Sequence, residues 1–290
     1  MGGIPAGGIT EIVGPAGLGK TQFCLGMCGV GCLQRIEDEG RVLYIDTERK
    51  FNGERLAQIF TERFTESLPN VDAVLTVLDR VIINSPSSSR QLMELLDNLQ
   101  SAIIDHNIKL IIIDSIAALV RADFGGGSSI GSFGTTTTNS GVSTSATAPS
   151  VMAARQQMLG QQASRLKFLA DTFRIPILVT NQVTTSFHAL NGDGTDSTNT
   201  STNGSLTAAL GPMWAHAVNT RLVMSSYQDG TSTNAEAIRT ITIAKSPSAP
   251  CVRVPYRVTS KGVEWVSGVE VPPPQPGSVI DMAIANYQGF

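Results

Sequence analysis

Short runs of β-branched and aliphatic residues recur at Ile9–Val13, Val42–Asp46, Val81–Asn84, Leu110–Asp114 and Ile177–Thr180, each bounded by turn or helix signals. Between them lie stretches of helical pattern: Thr21–Leu33, Gly53–Phe64, Arg90–His106 and Gln156–Phe173. The strand runs are almost continuously apolar, as strands covered on both faces are. Their alternation with helices predicts an α/β fold built on a mostly parallel central sheet. Four later runs, Arg221–Ser225, Thr240–Ala244, Arg253–Val258 and Val263–Val266, follow one another without helices. They predict an antiparallel extension at the C-terminal side of the same sheet. No internal repeat interrupts this order.

Two segments break the pattern by composition. From Phe124 to Ala154 there is no charged residue, only Gly, Ser, Thr, Asn and small apolar side chains. A similar mixture returns from Asn191 to Ser205, with Asp193 and Asp196. Neither stretch buries enough surface to offset chain entropy, so loops are expected near 124–154 and 184–212. Pro272-Pro273-Pro274-Gln275-Pro276 then ends regular structure. The expected organisation is one core over residues 1–271, followed by a Pro-rich break and C-terminal tail over 272–290.

The 290 residues are 41% hydrophobic, enough for a full core, and the net charge of −3 offers no bulk attraction to nucleic acid. Any such binding must come from a local patch. No apolar run reaches the roughly 18–20 residues of a membrane helix, and the N-terminus lacks the basic-then-apolar order of a secretion signal. These features together read as a soluble protein of the cell interior. Cys24, Cys28 and Cys32 repeat every fourth position among Phe23, Leu25, Met27 and Leu33, which stacks them on one helix face. Without a fourth ligand or a Cys-x-x-Cys pair they read as small core residues, not as a metal or redox site.

Gly14-Pro15-Ala16-Gly17-Leu18-Gly19-Lys20-Thr21 fits G-x-x-x-x-G-K-[ST] and lies between a predicted strand and a predicted helix. Glycines let backbone N–H groups approach phosphates without side-chain collision, and the helix N-terminus adds partial positive charge. Lys20 is placed to reach β- and γ-phosphates, and the Thr21 hydroxyl to meet Mg²⁺. Asp114 closes the apolar strand at 110–114, where open α/β sheets present ligand contacts, and is the candidate acid for the metal shell. Asp46 and Glu48 lie at and beyond another strand end. Their spacing sends both to the same side if extension persists, and Glu48, further out, is the candidate base for a hydrolytic water.

The order of these motifs resembles the ATPase core of the RecA-like recombinases of eukaryotes and archaea. The residues that carry the resemblance are 14–22 through Gln22, Tyr44-Ile45-Asp46-Thr47-Glu48, Phe51 with Glu54-Arg55-Leu56, Ile112-Ile113-Asp114-Ser115, Thr180-Asn181-Gln182-Val183 and Asn219-Thr220-Arg221-Leu222. Within the family, Trp214–Leu222 and Ile243–Pro250 look most like the B-type recombinase paralogue. The resemblance implies a RecA-type core that binds ATP and Mg²⁺, with Glu48 as catalytic glutamate and Gln182 as the γ-phosphate sensor. It implies nucleotide contacts from 14–22 and, across a subunit interface, from His216, Lys245 and Pro250. The two composition-biased loops fall where the family faces DNA.

Departures from the family pattern bear on function. No Lys or Arg occurs between Arg121 and Arg155, nor from Thr184 to Thr220, although phosphate neutralisation supplies most DNA affinity. Arg121 and Arg155, flanking the first loop, remain the candidate DNA contacts. Lys245 stands where the family usually has an acid. The chain starts a dozen residues before the phosphate loop, so a family N-terminal helical domain is expected to be cut away, or partner contacts to be one-sided. The resulting expectation is a slow, DNA-stimulated ATP hydrolase. It would assist homologous recombination and double-strand break repair in the nucleus, within a hetero-oligomer of recombinase paralogues, and bind single-stranded or branched DNA weakly alone. Alternatives are an active strand-exchange recombinase, a nucleotide-binding scaffold without useful turnover and, less favoured, a helicase-type or circadian-type RecA core.

Overall fold

The computed structural model describes residues 3–33, 39–124, 148–186, 205–208, 210–227, 238–269 and 271–273. Among the described residues ten strands form one sheet in the order β10-β9-β8-β7-β1-β5-β4-β2-β3, with β6 paired to β5 off that path. Strands β1 (Ile9–Gly14), β2 (Arg41–Asp46), β3 (Val81–Asn84), β4 (Ile108–Asp114), β5 (Ile177–Ser186) and β7 (Thr220–Tyr227) run parallel. Strands β8 (Ile238–Lys245), β9 (Arg253–Thr259) and β10 (Gly262–Trp265) continue from β7 as an antiparallel extension, and β6 (Ser205–Ala208) is antiparallel to β5. The mostly parallel sheet with its antiparallel C-terminal side is the expected fold class.

Period-two alternation along the central strands sorts the core into two layers. Ile9, Leu43, Ile45, Ile111, Ile113, Ile177 and Val179 face helices α4 (Ser89–Asp105), α5 (Ile116–Phe124), α6 (Ala148–Phe173) and α7 (Gly211–Ala217). Ile12, Val42, Tyr44, Leu110, Ile112 and Leu178 face the opposite way, onto α1 (Lys20–Leu33), α2 (Gly53–Arg63) and α3 (Val71–Leu78). Cys24, Cys28 and Cys32 are buried in this second layer.

Several elements differ from expectation. Helix α3 is rich in β-branched residues, a poor helical signal, but the Asn70 side chain caps it by accepting the Ala73 N–H at 2.9 Å. Helices α5 and α7 and strand β6 are further elements beyond the expected set. Helix α6 begins at Ala148, inside the expected first loop, with Pro149 in its first turn, where the missing N–H costs nothing. The rest of that loop, 125–147, lies outside the described residues, as do 187–204 of the second loop and 274–290 of the expected tail.

Candidate nucleotide site

Strand register assembles the site before any side chain is considered. Gly14 pairs with Gln182 across β1 and β5, and Asp46 pairs with Asp114 across β2 and β4. Four candidate positions, separated by up to 168 residues in sequence (182 − 14), therefore meet at the carboxyl edge of one sheet. Between β1 and α1 the loop turns through Gly17 at φ 81° and Gly19 at φ 99°, left-handed values that glycine adopts without strain. A Cβ at Gly17 meets nothing within 4 Å, so its backbone conformation, not crowding, is what calls for glycine there.

Lys20 is buried, and its Nζ donates to the Gly14 and Pro15 carbonyls at 2.8 Å each. Burial lowers its pKa, opposed by the negative charges of Asp114 and Glu48. The Thr21 hydroxyl donates to Asp114 Oδ2 at 2.7 Å. Tyr44 donates its hydroxyl to the same oxygen at 2.9 Å, and Thr180 donates to Oδ1. Burial pushes the Tyr44 phenol well up, so it serves here only as a donor. Held from β2, β5 and α1, the Asp114 carboxylate has one orientation. A hydroxyl beside a carboxylate is a hard-oxygen pair of the kind Mg²⁺ takes together with phosphate oxygens. Among the described residues no group of three or more His, Cys, Asp or Glu forms an all-protein metal cage. The donor set therefore suits a metal bound through a nucleotide.

Extension does not persist beyond β2. The Asp46 carboxylate accepts the backbone N–H groups of Glu48, Lys50 and Phe51 at 3.2, 3.1 and 2.7 Å, folding residues 47–51 into a turn with Arg49 at φ 55°. Asp46 thereby shapes the turn, and Glu48 projects from it. Glu48 Oε1 accepts Ser115 Oγ at 2.7 Å and Gln182 Nε2 at 3.1 Å, while Lys50 Nζ donates to Oε2. Burial pushes this carboxyl up. The hydrogen bonds from Lys50 and Ser115 and the charges of Lys50 and Arg121 outweigh that, and the net pKa is lowered.

Residues without an assigned role in the sequence motifs complete the support. Tyr256 on β9 donates its hydroxyl to the Leu18 carbonyl at 2.6 Å, tethering the phosphate loop to the antiparallel extension. Arg55 donates through Nε to Gln22 Oε1 at 2.8 Å and through its other nitrogens to the Thr259 and Ser260 carbonyls at 2.6 and 2.8 Å. Thr47 and Ser115 exchange two bonds, Thr47 Oγ1 to the Ser115 carbonyl at 2.6 Å and Ser115 N–H to Thr47 Oγ1 at 2.8 Å. Thr47 and Ser115 belong to the motifs 44–48 and 112–115, though nothing in the sequence pairs them; Tyr256 carries no local signal.

The remaining candidates sit apart from this cluster. Arg121 is half-buried in the last turn of α5, near enough for its charge to act on Glu48, and Arg155 is half-buried on α6. His216 on α7 and Pro250 after β8 are exposed. Lys245 is engaged within its own chain: Nζ donates to the Ala215 and Val218 carbonyls at 3.0 and 2.6 Å, closing the C-terminal end of α7. Burial lowers its pKa, assisted by the charge of Arg221 and opposed by Glu11.

The sequence pattern of the Rad51 family matches residues 1–137 and 144–266. DNA repair protein RAD51 homolog 2 of Homo sapiens is 31% identical over 313 aligned residues, covering 99% of this chain and 74% of its own length. The protein of the same name from Mus musculus is 35% identical, covering 90% of this chain and 71% of its own. That from Arabidopsis thaliana is 33% identical, covering 92% and 66%. No described helix is long and apolar enough to cross a membrane.

Proposed function

The chain belongs to the Rad51 family, and from that premise we propose that it binds ATP with Mg²⁺, hydrolyses it slowly with stimulation by DNA, and assists homologous recombination in the nucleus as one member of a hetero-oligomer of paralogues. The observation that carries this reading is the meeting of Lys20, Thr21, Asp114, Glu48 and Gln182 at one edge of the sheet.

Each residue has a definable task there. The backbone N–H groups of 16–19 and the start of α1 cradle phosphates, with Ala16 and Leu18 contributing main chain only and Pro15, which has no N–H, setting the turn. Lys20 leaves the Gly14 and Pro15 carbonyls for β- and γ-phosphate oxygens. Thr21 and Asp114 would hold Mg²⁺, and Gln22, beside Thr21 in α1, is fixed by Arg55. Bound Mg²⁺ supplies positive charge against the phosphate oxygens. Glu48 accepts a proton from water, and Gln182, hydrogen-bonded to it, senses the terminal phosphate through a neutral amide.

Contacts across a subunit interface belong to the same proposal. Exposed His216 and Pro250 suit a role toward a neighbour's nucleotide. Lys245 supports that surface by fixing α7, and reaches a neighbour's phosphates only by releasing it. Arg121 and Arg155 contact single-stranded or branched DNA. The lack of Lys and Arg from 122 to 154 and from 184 to 220 favours an accessory over a strand-exchange recombinase.

The test is nucleotide titration at matched Mg²⁺, followed by turnover with and without single-stranded DNA and a paralogue partner. Lys20→Ala is expected to abolish ATP binding. Glu48→Gln is expected to keep binding and to lower turnover by about 10²–10⁴-fold. Equal ATP affinity in wild type and Lys20→Ala refutes the site.

A further inference from the structure

A second ammonium stands at the mouth of this site, outside the phosphate loop. Lys50 has its backbone fixed, because Asp46 accepts its N–H at 3.1 Å and that of Phe51 at 2.7 Å, and the Phe51 ring packs edge-on against Tyr44 at 5.0 Å between centroids. Its side chain is 64% exposed, whereas that of Glu48 is 16% exposed. The Glu48 carboxylate is thus gripped on one oxygen by Ser115 and Gln182 and on the other by Lys50. A base whose outer oxygen is occupied by a cation is poorly placed to take a proton from water.

The grip is easily exchanged. An ion pair with one exposed partner is worth about 0–1 kcal/mol, and lysine's four-carbon stem reorients freely. Phosphate carries more charge than one carboxylate and accepts charge-assisted bonds. Lys50 is also within electrostatic range of Lys20 and Asp114, the two charges that flank the phosphate loop. Among the described residues it is the cation hydrogen-bonded to Glu48. Wherever Glu48 faces the terminal phosphate, Lys50 accompanies it.

Building on the nucleotide reading above, we propose that Lys50 is a latch set by the nucleotide: it holds Glu48 when no triphosphate is bound, and moves to a terminal-phosphate oxygen when one is, releasing Glu48 to water. A diphosphate lacks the group that draws it away. The latch thus makes Lys50 a determinant of ATP-over-ADP preference and ties the freeing of the base to the presence of its substrate.

The full-length chain, as Lys50→Met and Lys50→Arg, tests this by calorimetric titration with ATPγS and ADP at matched Mg²⁺. Lys50→Met is expected to weaken ATPγS about tenfold and to leave ADP within twofold, while Lys50→Arg restores most of the preference. In the nucleotide-free protein, ¹³C-carboxyl NMR is expected to show Glu48 titrating at higher pH in Lys50→Met. The other groups around that carboxyl, Lys20 of α1, Arg121 of α5, Asp114 of β4 and Ser115 after it, and Gln182 of β5, are unchanged in the variant. A shifted carboxyl with an unaltered ATPγS/ADP ratio makes Lys50 a surface ion pair and overturns the proposal, as does equal loss of both nucleotides. Failure of wild type to bind either nucleotide, or wild-type binding by Lys20→Ala, removes the nucleotide reading itself and the latch with it.

Discussion

Glu11 offers the sharpest test of how the sheet holds its nucleotide edge. It is 0% exposed in the centre of β1, and its carboxylate accepts Asn181 Nδ2 at 2.8 Å, Trp214 Nε1 at 2.8 Å and Arg221 Nε at 2.7 Å. One side chain thereby joins β1, β5, α7 and β7, immediately beside Gln182. Glu11→Gln preserves shape: the amide oxygen keeps the Asn181 and Trp214 bonds, and the amide nitrogen then meets Arg221 donor to donor. Opposite unit charges about 3 Å apart attract by roughly 5–6 kcal/mol at an effective dielectric of about 20. Removing one partner of a buried pair costs about 3–5 kcal/mol once relaxation is included. Against a total stability of about 5–15 kcal/mol, that is a large loss. Urea denaturation followed by far-ultraviolet circular dichroism, without nucleotide, measures it. Glu11→Gln/Arg221→Met removes both members of the ion pair and is expected to recover to within about 1–2 kcal/mol of wild type. A cost below about 1 kcal/mol for Glu11→Gln, or a double variant no more stable than the single, refutes the reasoning.

Three further outcomes follow from local geometry. At Gly14 a Cβ lies 2.6 Å from the Met224 carbonyl oxygen, so Gly14→Ala is expected to cost about 2–3 kcal/mol in thermal melts, against about 1 kcal/mol of left-handed strain for Gly17→Ala, whose Cβ meets nothing. Equal costs would contradict the packing of β1 on β7. Lys245→Ala is expected to lower stability by about 1–2 kcal/mol without nucleotide or partner, because the Ala215 carbonyl of α7 and that of Val218 just after it lose their donor; an unchanged melt would leave that contact without energetic weight. Alkylation of the native chain at pH 8 is expected to label Cys251 alone, since burial holds the Cys24 and Cys28 thiols well above their ordinary value and pushes Cys32 up to about 12; labelling of α1 before unfolding would refute this.

Much of the fold and the candidate phosphate loop was determined by the sequence alone. Strand and helix periods are local, and Gly14–Thr21 is one continuous motif whose chemistry needs no distant partner to be recognised. Asp114 and Glu48 were legible as candidates because one closes and the other follows an apolar run, whereas Gln182 was marked only by the resemblance to the family. Tertiary structure decided what they touch. Asp46 and Glu48 share spacing and charge type, yet a turn folded on Asp46 separates their tasks. Glu11 reads as an ordinary polar residue in Ile9-Thr10-Glu11-Ile12, but β1 lies mid-sheet, and the carboxylate is buried against Arg221, 210 residues away. Tyr256 meets Leu18 across 238 residues, and Lys50 meets Glu48 through a side-chain rotation that no period encodes. Periodicity records which face a residue buries, because many contacts share that demand. A single long-range hydrogen bond, worth about 1 kcal/mol, leaves no repeating trace in the chain and exists only once strand order and register have brought its partners together.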